Sequence, residues 1–469
     1  MSDIKITRRH TKGFLLVELM LSFIIFVSVI SAVCALYWSA QSALLTEPYR
    51  LQAFAIAKNI LSSLQTQAQS DFDSVQSSLS ATSSQGVTYT VNVVSTLNTN
   101  NLKYVTVTVS WQASAFVRAG SIFLQETVVD FINSIQNPTC HLGSGWFAQS
   151  LHLVGHGSID IGTSSTSTGI AVQHDLLYLS ADSPNKTEKD FYIVNTKNKD
   201  APVVLSSLDT GPGIEAITTS GHYVYAANAS INAQLQIIDV SSSTHPVIVT
   251  NFKLPGTYSD NGTVGASIFY RNKLIYLGTK KSDIAELHVI NVSNISSPKE
   301  VGTFEVNTTI HRIIVHDHLI YIASPDDSEI RIIDSSDTSH LKEVGSFNAS
   351  GGSGNGQALY QDGSTLYLGR TIGNNELYIL DASTTAPAVI GSKTLNSSIT
   401  DILVSNGLAF LLDAEPSKEF QMWNVGDKTK PSLMSTLPLG GRGSALACDG
   451  NMLYATVSRS SGFISISAN

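Results

Sequence analysis

One acidic residue inside a long apolar segment is the first feature with chemical meaning. Glu18 is followed by Leu19–Thr46, a run of 28 residues without Asp, Glu, Lys or Arg. As a helix this run spans about 42 Å, which exceeds the ~30 Å hydrocarbon core of a membrane. A carboxylate in such a helix is costly unless a cation compensates it. We therefore expect Glu18 to have a functional role.

The charges around this segment predict its orientation. Residues 1–13 carry four basic residues and one acid, and Gly13–Phe14 marks the change to apolar sequence. Basic residues remain on the cytoplasmic side of a membrane. The sequence thus predicts a single-pass protein of the cytoplasmic membrane, with its N-terminus inside and its later domains outside the cytoplasm.

Other residue patterns that support chemistry are incomplete in this chain. His311, His316 and His318 are close enough in sequence for a metal site, yet no Cys accompanies them, and we interpret them as turn residues. The Gly-rich segment 351–356 lacks the Lys of a phosphate-binding loop, and no Gly-x-Ser-x-Gly nucleophile motif occurs. We name no catalytic residue, expect no metal or cofactor, and expect that the protein is not an enzyme.

Composition excludes several further classes of protein. Only 14% of the residues are charged, against ~25% in an average soluble protein, which argues against a coiled coil. The net charge of −9 argues against a nucleic-acid partner. Three cysteines in 469 residues exclude a disulfide-dense scaffold and a multi-cysteine metal cluster.

The region after the basic leader predicts an α+β domain over residues 14–137. Apolar residues at near-helical spacing extend the N-terminal helix, so that it covers 14–67. Residues 87–94 and 104–111 alternate as half-buried strands, and 122–132 is a candidate third strand. The predicted fold class is thus a long N-terminal helix packed on a small antiparallel sheet, with a Ser- and Thr-rich loop between them.

The N-terminal pattern resembles the type IV prepilin signal. A basic leader ends at Gly13, Phe14 follows, and Glu18 is the fifth residue after the leader. The resemblance implies that a prepilin peptidase cuts after Gly13, that Phe14 is N-methylated, and that Glu18 pairs with the Phe14 amine of a neighbouring subunit. It also implies the domain plan of minor pilins and secretion pseudopilins over residues 1–137. A plain membrane anchor is the alternative, and a twin-arginine export signal is a weaker one.

A repeat of about 46 residues fills the rest of the chain. Seven strands share an aromatic anchor: Tyr178, Tyr225, Tyr276, Tyr321, Tyr367, Phe410 and Tyr454. In six repeats a later strand ends in Asn or Asp, which starts a turn, and Pro precedes the next strand in five of them. Four short strands per repeat, labelled A to D, predict an all-β seven-bladed propeller. The pattern is similar to the LVIVD-type propeller repeat.

The seventh repeat ends before its D strand. Segment 150–160, which follows a linker at 138–149, is a strand without a blade. We expect it to complete the seventh blade, so that the propeller covers 150–469 without an open edge. This closure places Cys140 near Cys448 and predicts an extracytoplasmic disulfide between them. Two unrelated thiols are the alternative.

The face opposite the A–B turns carries the longer B–C and D–A loops. Function tends to lie on loops that a rigid scaffold holds. Our candidate ligand contacts on this face are Tyr258, Asp260, Asp326, Arg370 and Arg442.

These features together predict a minor pilin or pseudopilin of a type IV pilus or secretion filament, with the propeller as an adhesive or protein-binding tip module. The expected partners are a prepilin peptidase, other pilins or pseudopilins, the inner membrane and an unidentified extracellular or envelope ligand. A membrane-tethered envelope scaffold that never enters a filament is the alternative, and a propeller hydrolase is a weaker one.

Overall fold

The structure is a computed structural model that describes most of the chain after residue 47. The described residues are 30–31, 48–68, 75–84, 86–99, 102–112, 119–129, 140, 142, 144–147, 153–162, 165–173, 175–182, 188–256, 264–325, 328–349, 354–458 and 462–468. The chain forms two compact units, which divide between Val129 and Asp130.

The first unit packs a helix of residues 48–68 against an antiparallel sheet of four strands. In sheet order the strands are β1 (Ser78–Ser84), β2 (Val87–Thr99), β3 (Leu102–Trp111) and β4 (Gly120–Val129). Alternate residues of β3, Val105, Val107 and Val109, are fully buried, because successive side chains of a strand point to opposite faces. Ala53 and Ala57 of the helix belong to the same core.

The predicted fold class, α+β with a long N-terminal helix and a pilin-like domain, is wrong. The part of the chain that the structure describes is nearly all β, with a single long helix at 48–68 and eight four-stranded sheets. The segment predicted as a loop contains β1, whose side chains are exposed along almost its whole length. An exposed edge strand needs no apolar alternation, so its Ser and Thr residues gave no strand signal.

Membrane-spanning helices were sought in the same described residues. None of the helices there is both long enough and apolar enough to cross a bilayer. Most of the apolar run Leu19–Thr46 lies outside the described residues.

The second unit is a ring of seven antiparallel four-stranded blades. The A strands of neighbouring blades contact one another, so they form the inner wall of the ring. Blade 7 takes one strand from the start of this unit, β5 (Leu153–Gly155).

Blade 1 consists of β6 (Thr166–Gln173), β7 (Leu176–Asp182), β8 (Phe191–Asn195) and β9 (Val203–Leu208); blade 2 of β10 (Ile214–Ser220), β11 (Tyr223–Ser230), β12 (Ala233–Asp239) and β13 (Val247–Phe252); and blade 3 of β14 (Gly265–Arg271), β15 (Leu274–Thr279), β16 (Leu287–Asn291) and β17 (Lys299–Phe304). Blade 4 consists of β18 (Arg312–His316), β19 (Leu319–Ala323), β20 (Ile330–Asp334) and β21 (Lys342–Phe347); blade 5 of β22 (Gly356–Asp362), β23 (Thr365–Arg370), β24 (Leu377–Asp381) and β25 (Ala388–Lys393); blade 6 of β26 (Ile399–Ser405), β27 (Leu408–Asp413), β28 (Phe420–Asn424) and β29 (Ser432–Leu437); and blade 7 of β30 (Leu446–Asp449), β31 (Met452–Thr456) and β32 (Phe463–Ala468) with β5.

Blade 7 is completed by a strand from the other end of the propeller, as the sequence predicts. Strand β5 pairs antiparallel with β32, and Gly155 lies opposite Ile466. The next residue continues the pairing, because the His156 N–H donates to the Ser465 carbonyl oxygen at 2.8 Å. The His156 ring also contacts Ser467 Oγ at 2.7 Å. The two ends of the unit therefore share one sheet, which closes the ring.

The aromatic anchors and the Asn or Asp residues have the structural roles that the sequence predicts. All seven anchors are at most 4% exposed: Tyr178, Tyr225, Tyr276, Tyr321, Tyr367, Phe410 and Tyr454. In each of the six repeats the Asx side chain accepts the backbone N–H two residues later at 2.8–2.9 Å: Asn195, Asp239, Asn291, Asp334, Asp381 and Asn424. These hydrogen bonds lower the pKa of Asp239, Asp334 and Asp381 below the usual value.

Candidate functional site

The processing and assembly residues lie outside the part of the chain that the structure describes. Gly13, Phe14 and Glu18 all precede its first described residue. Three of the candidate ligand contacts, Tyr258, Asp260 and Asp326, fall in loop segments that are likewise outside the described ranges. These six assignments therefore stay predictions.

Arg370 is not a surface contact, and its assignment to an exposed ligand face is wrong. Its side chain is fully buried at the end of β23. The guanidinium donates to Glu329 Oε1 at 2.6 Å and to the Gly354 and Asn375 carbonyl oxygens at 2.9 Å each. A buried charge must be paired and hydrogen-bonded, and here it joins the B–C loop of blade 5 to blade 4.

Arg442 is the one candidate contact that the described residues show at the surface. It lies in the D–A loop between β29 and β30 and is exposed. Its carbonyl oxygen accepts the Ser458 N–H at 2.7 Å, which fixes the backbone beneath the side chain. Its guanidinium is thus placed on the loop face by an ordered backbone.

Cys140 and Cys448 form a disulfide, with their Cα atoms 5.4 Å apart and 308 residues between them in sequence. The bond joins the segment before β5 to the A strand of blade 7. The Ser405 hydroxyl donates to the Cys140 carbonyl oxygen at 2.8 Å, so the same segment is also held by blade 6.

A tryptophan that sequence reasoning left unassigned strengthens this attachment. Trp146 is fully buried and stacks edge-on against Phe410 with ring centroids 5.4 Å apart. Its indole N–H donates to Asn451 Oδ1 at 2.8 Å. Leu142 and Trp146 therefore belong to the core of blades 6 and 7, and Cys140 packs against it.

Six buried polar residues, which we call the clamp residues, lie at the start of the C strands of blades 1 to 6; five directly precede the strand, and Gln234 is the second residue of β12. They are Asp190, Gln234, Glu286, Glu329, Glu376 and Glu419. In each, a side-chain oxygen accepts a backbone N–H about 20 residues later, at 2.7–3.1 Å, from the D–A loop of the same blade. The clamp residues therefore fix the loops that form the predicted ligand face.

Burial raises the pKa of two clamp residues. Desolvation raises the pKa of Asp190 to about 6, although the Thr210 hydroxyl and N–H both donate to its carboxylate. Burial likewise raises the pKa of Glu286. Burial disfavours the charged form of a carboxylate unless its hydrogen bonds compensate fully.

The clamp residues could have been found in the sequence. Each stands at the start of a C strand, directly before an apolar residue, in the tripeptides KDF, AQL, AEL, SEI, NEL and KEF. An acid in five repeats, and a glutamine in blade 2, one residue before the apolar part of the strand is the repeated signal. Sequence reasoning assigned these residues no role, because it compared the aromatic anchors and the Asn or Asp residues that end the C strands.

A second set, which we call the inner ring, lies ten residues before each aromatic anchor. Its members are Thr168, Glu215, Ala266, His311, Gln357, Thr400 and Ser444. In five blades this residue is a bulge, because the A strand skips it in pairing with the B strand. A bulge redirects a side chain, and the inner ring residues are thereby placed at the loop end of the inner wall.

Four inner ring side chains join neighbouring blades. Each donates to the backbone carbonyl oxygen that precedes the inner ring residue of the next blade. Thr168 donates to Ile214, His311 to Gly356 at 3.0 Å, Thr400 to Gly443 at 2.7 Å and Ser444 to Ser167 at 2.8 Å. At the junction of blades 2 and 3, Glu215 instead pairs with Lys280 at 2.5 Å.

A longer contact crosses the ring beside these residues. Arg312, the first residue of β18 in blade 4, pairs with Asp401 in β26 of blade 6. Asp401 also accepts the N–H of Leu446 in blade 7 at 2.8 Å. Burial lowers the pKa of Arg312 to about 10, which still leaves it charged at neutral pH. Three blades are therefore tied together at this level of the channel.

The three histidines considered as metal ligands do not converge. His311 precedes β18, whereas His316 ends it and His318 follows in the next turn. In the described ranges, no group of three or more His, Cys, Asp or Glu side chains could hold a metal ion.

Comparison with known families identifies the repeat. The LVIVD repeat matches residues 215–253, 282–306 and 311–349, which correspond to blades 2, 3 and 4. The chain therefore carries LVIVD repeats within a propeller-like all-β fold.

Individual relatives are distant. Uncharacterized protein MJ1554 of Methanocaldococcus jannaschii is 26% identical over 127 residues, which is 26% of this chain and 19% of that protein. The chain thus matches about a fifth of the length of this relative.

Solved structures of similar fold include a protein from Lactobacillus plantarum, with a TM-score of 0.51 and 14% identity over 60% of this chain and 86% of that one. Another is a catalytically inactive virginiamycin B lyase from Staphylococcus aureus with quinupristin, with a TM-score of 0.51 and 10% identity over 68% of this chain and 99% of that one. At such low identity these similarities concern the fold alone.

Proposed function

We propose that this protein is an exported propeller that binds a ligand and is processed and assembled like a type IV pilin or secretion pseudopilin. The observation that carries this proposal is the disulfide between Cys140 and Cys448. Protein disulfides persist in oxidising compartments and are rare in the cytosol. The Gly13, Phe14 and Glu18 pattern of the sequence supports the prepilin route.

The size of the propeller favours a minor subunit. Residues 150–469 on every protomer would crowd a filament, whereas one copy at or near a tip would not. The N-terminus would remain in the cytoplasm, the apolar segment would occupy the cytoplasmic membrane, and the propeller would lie outside it.

We propose binding rather than catalysis for the propeller. Its buried acids are engaged in fixing loops, as Glu286 and Glu376 do through backbone N–H groups. Asp401 is similarly engaged, by Arg312 and by Leu446. A general acid or base needs a carboxyl group that reaches the substrate, and these carboxyl groups are committed to the scaffold.

The processing step has a direct test. Mass spectrometry of the mature protein should find an N-terminus at N-methylated Phe14. Gly13→Ala should leave the leader attached, whereas Thr11→Ala, a matched change two residues upstream, should be processed normally. A mature chain that keeps residues 1–13, or that starts elsewhere, would show that the prepilin route is wrong.

A further inference from the structure

Five charged or titratable residues lie at the loop end of the channel, and their structural contacts do not use all of their polar groups. We call Glu215, Lys280, His311, Arg312 and Asp401 the mouth cluster. Glu215 and His311 are inner ring residues, and Arg312 and Asp401 each follow an inner ring residue directly. Lys280 follows β15 and reaches the same level through Glu215. All five therefore lie where the inner strands meet the D–A and B–C loops.

Arg312 is partly buried at the inner edge of the ring. Its partner Asp401 belongs to blade 6, so the guanidinium must cross the inner edge of blade 5 to reach it. The Arg312 side chain is still 32% exposed, whereas that of Asp401 is 5% exposed. A guanidinium has five N–H donors in a planar fork. The ion pair with Asp401 holds the guanidinium in place, and the exposed part of the side chain leaves N–H donors that a ligand could use.

The blades leave little room for other long side chains at this level. The residues equivalent to Arg312 and Asp401 in the other five blades are small: Gly169, Ala216, Ser267, Ala358 and Ala445. A Cβ on Gly169 would approach Ser180 Oγ to 2.7 Å, which illustrates how closely the inner strands pack. The Arg312–Asp401 pair is therefore specific to two blades and is not a repeated structural feature.

His311 places an acceptor next to these donors. Its Nδ1 lies 3.0 Å from the Gly356 carbonyl oxygen, so Nδ1 carries the proton. Burial lowers the pKa of His311, which keeps the ring neutral at pH 7. In the neutral ring Nε2 is an acceptor. Arg312 thus offers guanidinium N–H donors, and the preceding residue, His311, offers Nε2 as an acceptor.

The charges of the mouth cluster cancel in pairs. Glu215 pairs with Lys280, and Arg312 pairs with Asp401, so neither an anion nor a cation gains a large electrostatic advantage. A neutral ligand whose groups both donate and accept hydrogen bonds fits this arrangement best. Adjacent hydroxyl groups have this property.

We propose that the mouth cluster binds a neutral saccharide, with adjacent hydroxyl groups accepting from Arg312 and donating to His311 Nε2. This inference rests on the binding role proposed above and names its ligand class. Removing a partner of the bound hydroxyls should weaken binding at least tenfold, because hydrogen bonds to charged groups are stronger than those between neutral groups.

The test uses the full chain in detergent and isothermal titration with methyl glycosides of glucose, galactose, mannose and N-acetylglucosamine. N-acetylneuraminic acid serves as the anionic comparison. At least one neutral glycoside should bind, and Arg312→Gln should weaken that binding at least tenfold. Lys299→Gln, which changes an exposed lysine of β17 in blade 3 and lies outside the candidate ligand contacts, should bind like the wild type.

Loss of folding is separated from loss of binding by a second variant. Arg312→Gln combined with Asp401→Asn removes both charges, so no buried carboxylate is left unpaired. It should unfold at nearly the wild-type temperature and still bind weakly. The inference fails if no neutral glycoside binds, if only the anionic sugar binds, or if this double variant binds like the wild type. Correct processing at Phe14 in those cases would leave the proposed export and assembly standing.

Discussion

Individual buried acids organise the loop face of this propeller. A carboxylate before the C strand accepts N–H groups from a loop about 20 residues later, as Glu329 does from Ala349. The same carboxylate of Glu329 pairs with Arg370, so one residue joins a loop, a strand and the next blade. Loops held in this way are suited to recognition because they do not have to become ordered on binding.

Asp190 gives this organisation a pH signature. Its pKa is about 6 in the folded chain, against an ordinary value of 3.8. Between these values the folded state retains a proton that the unfolded state has lost, so the free energy of unfolding falls as the pH rises through this range. Above pH 6 the contribution of Asp190 is constant. Asp190→Asn should remove this pH-dependent change in the free energy of unfolding, which is on the order of 1–3 kcal/mol.

Urea unfolding at pH 4 and pH 7 measures the effect. The wild type should lose stability between pH 4 and pH 7, whereas Asp190→Asn should not lose this component. The free energy of unfolding of the variant minus that of the wild type should therefore be larger at pH 7 than at pH 4. Asp182→Asn changes an exposed acid in the same blade and should show no such difference. Identical pH profiles for the wild type and Asp190→Asn would contradict the assignment.

Single residues also mark the limit of sequence reasoning. Arg370 was predicted at the surface because it falls within 369–375, which the sequence predicts as one of the longer loops of the ligand face. Its burial depends on Glu329, which is 41 residues away in sequence and belongs to another blade. Only the ring geometry brings the two together, so local pattern could not reveal the pair.

At the scale of elements, the propeller strands were predictable from the sequence. Aromatic anchors at regular spacing and Asx turns predicted the B and C strands, and the missing seventh D strand predicted β5. Strand β1 was missed because it is an exposed edge. The bulges of the inner ring were missed as well, because they arise from pairing between strands and leave no periodicity in the sequence.

We expect the disulfide between Cys140 and Cys448 to make the largest single contribution to the stability of the closed ring. Cys140→Ser combined with Cys448→Ser removes a link between residues 308 apart, and links of this kind contribute about 2–5 kcal/mol. We expect the double variant to unfold at a clearly lower urea concentration than the oxidised wild type.

Reduction supplies an independent control for this prediction. Wild-type protein in reductant should unfold like the double variant, because both lack the same bond. Cys34→Ser should behave like the wild type. Equal stability of the double variant and the oxidised wild type would mean that β5 and Trp146 hold the closure without the disulfide.

At the scale of the whole molecule, entry into a filament separates a pilin-like subunit from a membrane-tethered scaffold. If Glu18 compensates a neighbouring N-terminal amine, Glu18→Ala should be inserted and cleaved but should be lost from purified filaments. Glu47→Ala, which changes the acid just after the apolar run, should assemble normally. Filament fractions that contain Glu18→Ala at the wild-type level would favour the membrane-tethered scaffold.

The disulfide also determines how the propeller would respond to a pulling force. A propeller that is tethered through its N-terminal side receives tension along the chain that leads to β5. Without a cross-link, that tension would peel β5 from β32, one hydrogen bond at a time. The bond from Cys140 to Cys448 diverts the load into the innermost strand of blade 7, so β5 and Trp146 lie in a slack segment. The ring is thereby built to stay closed while it is being pulled.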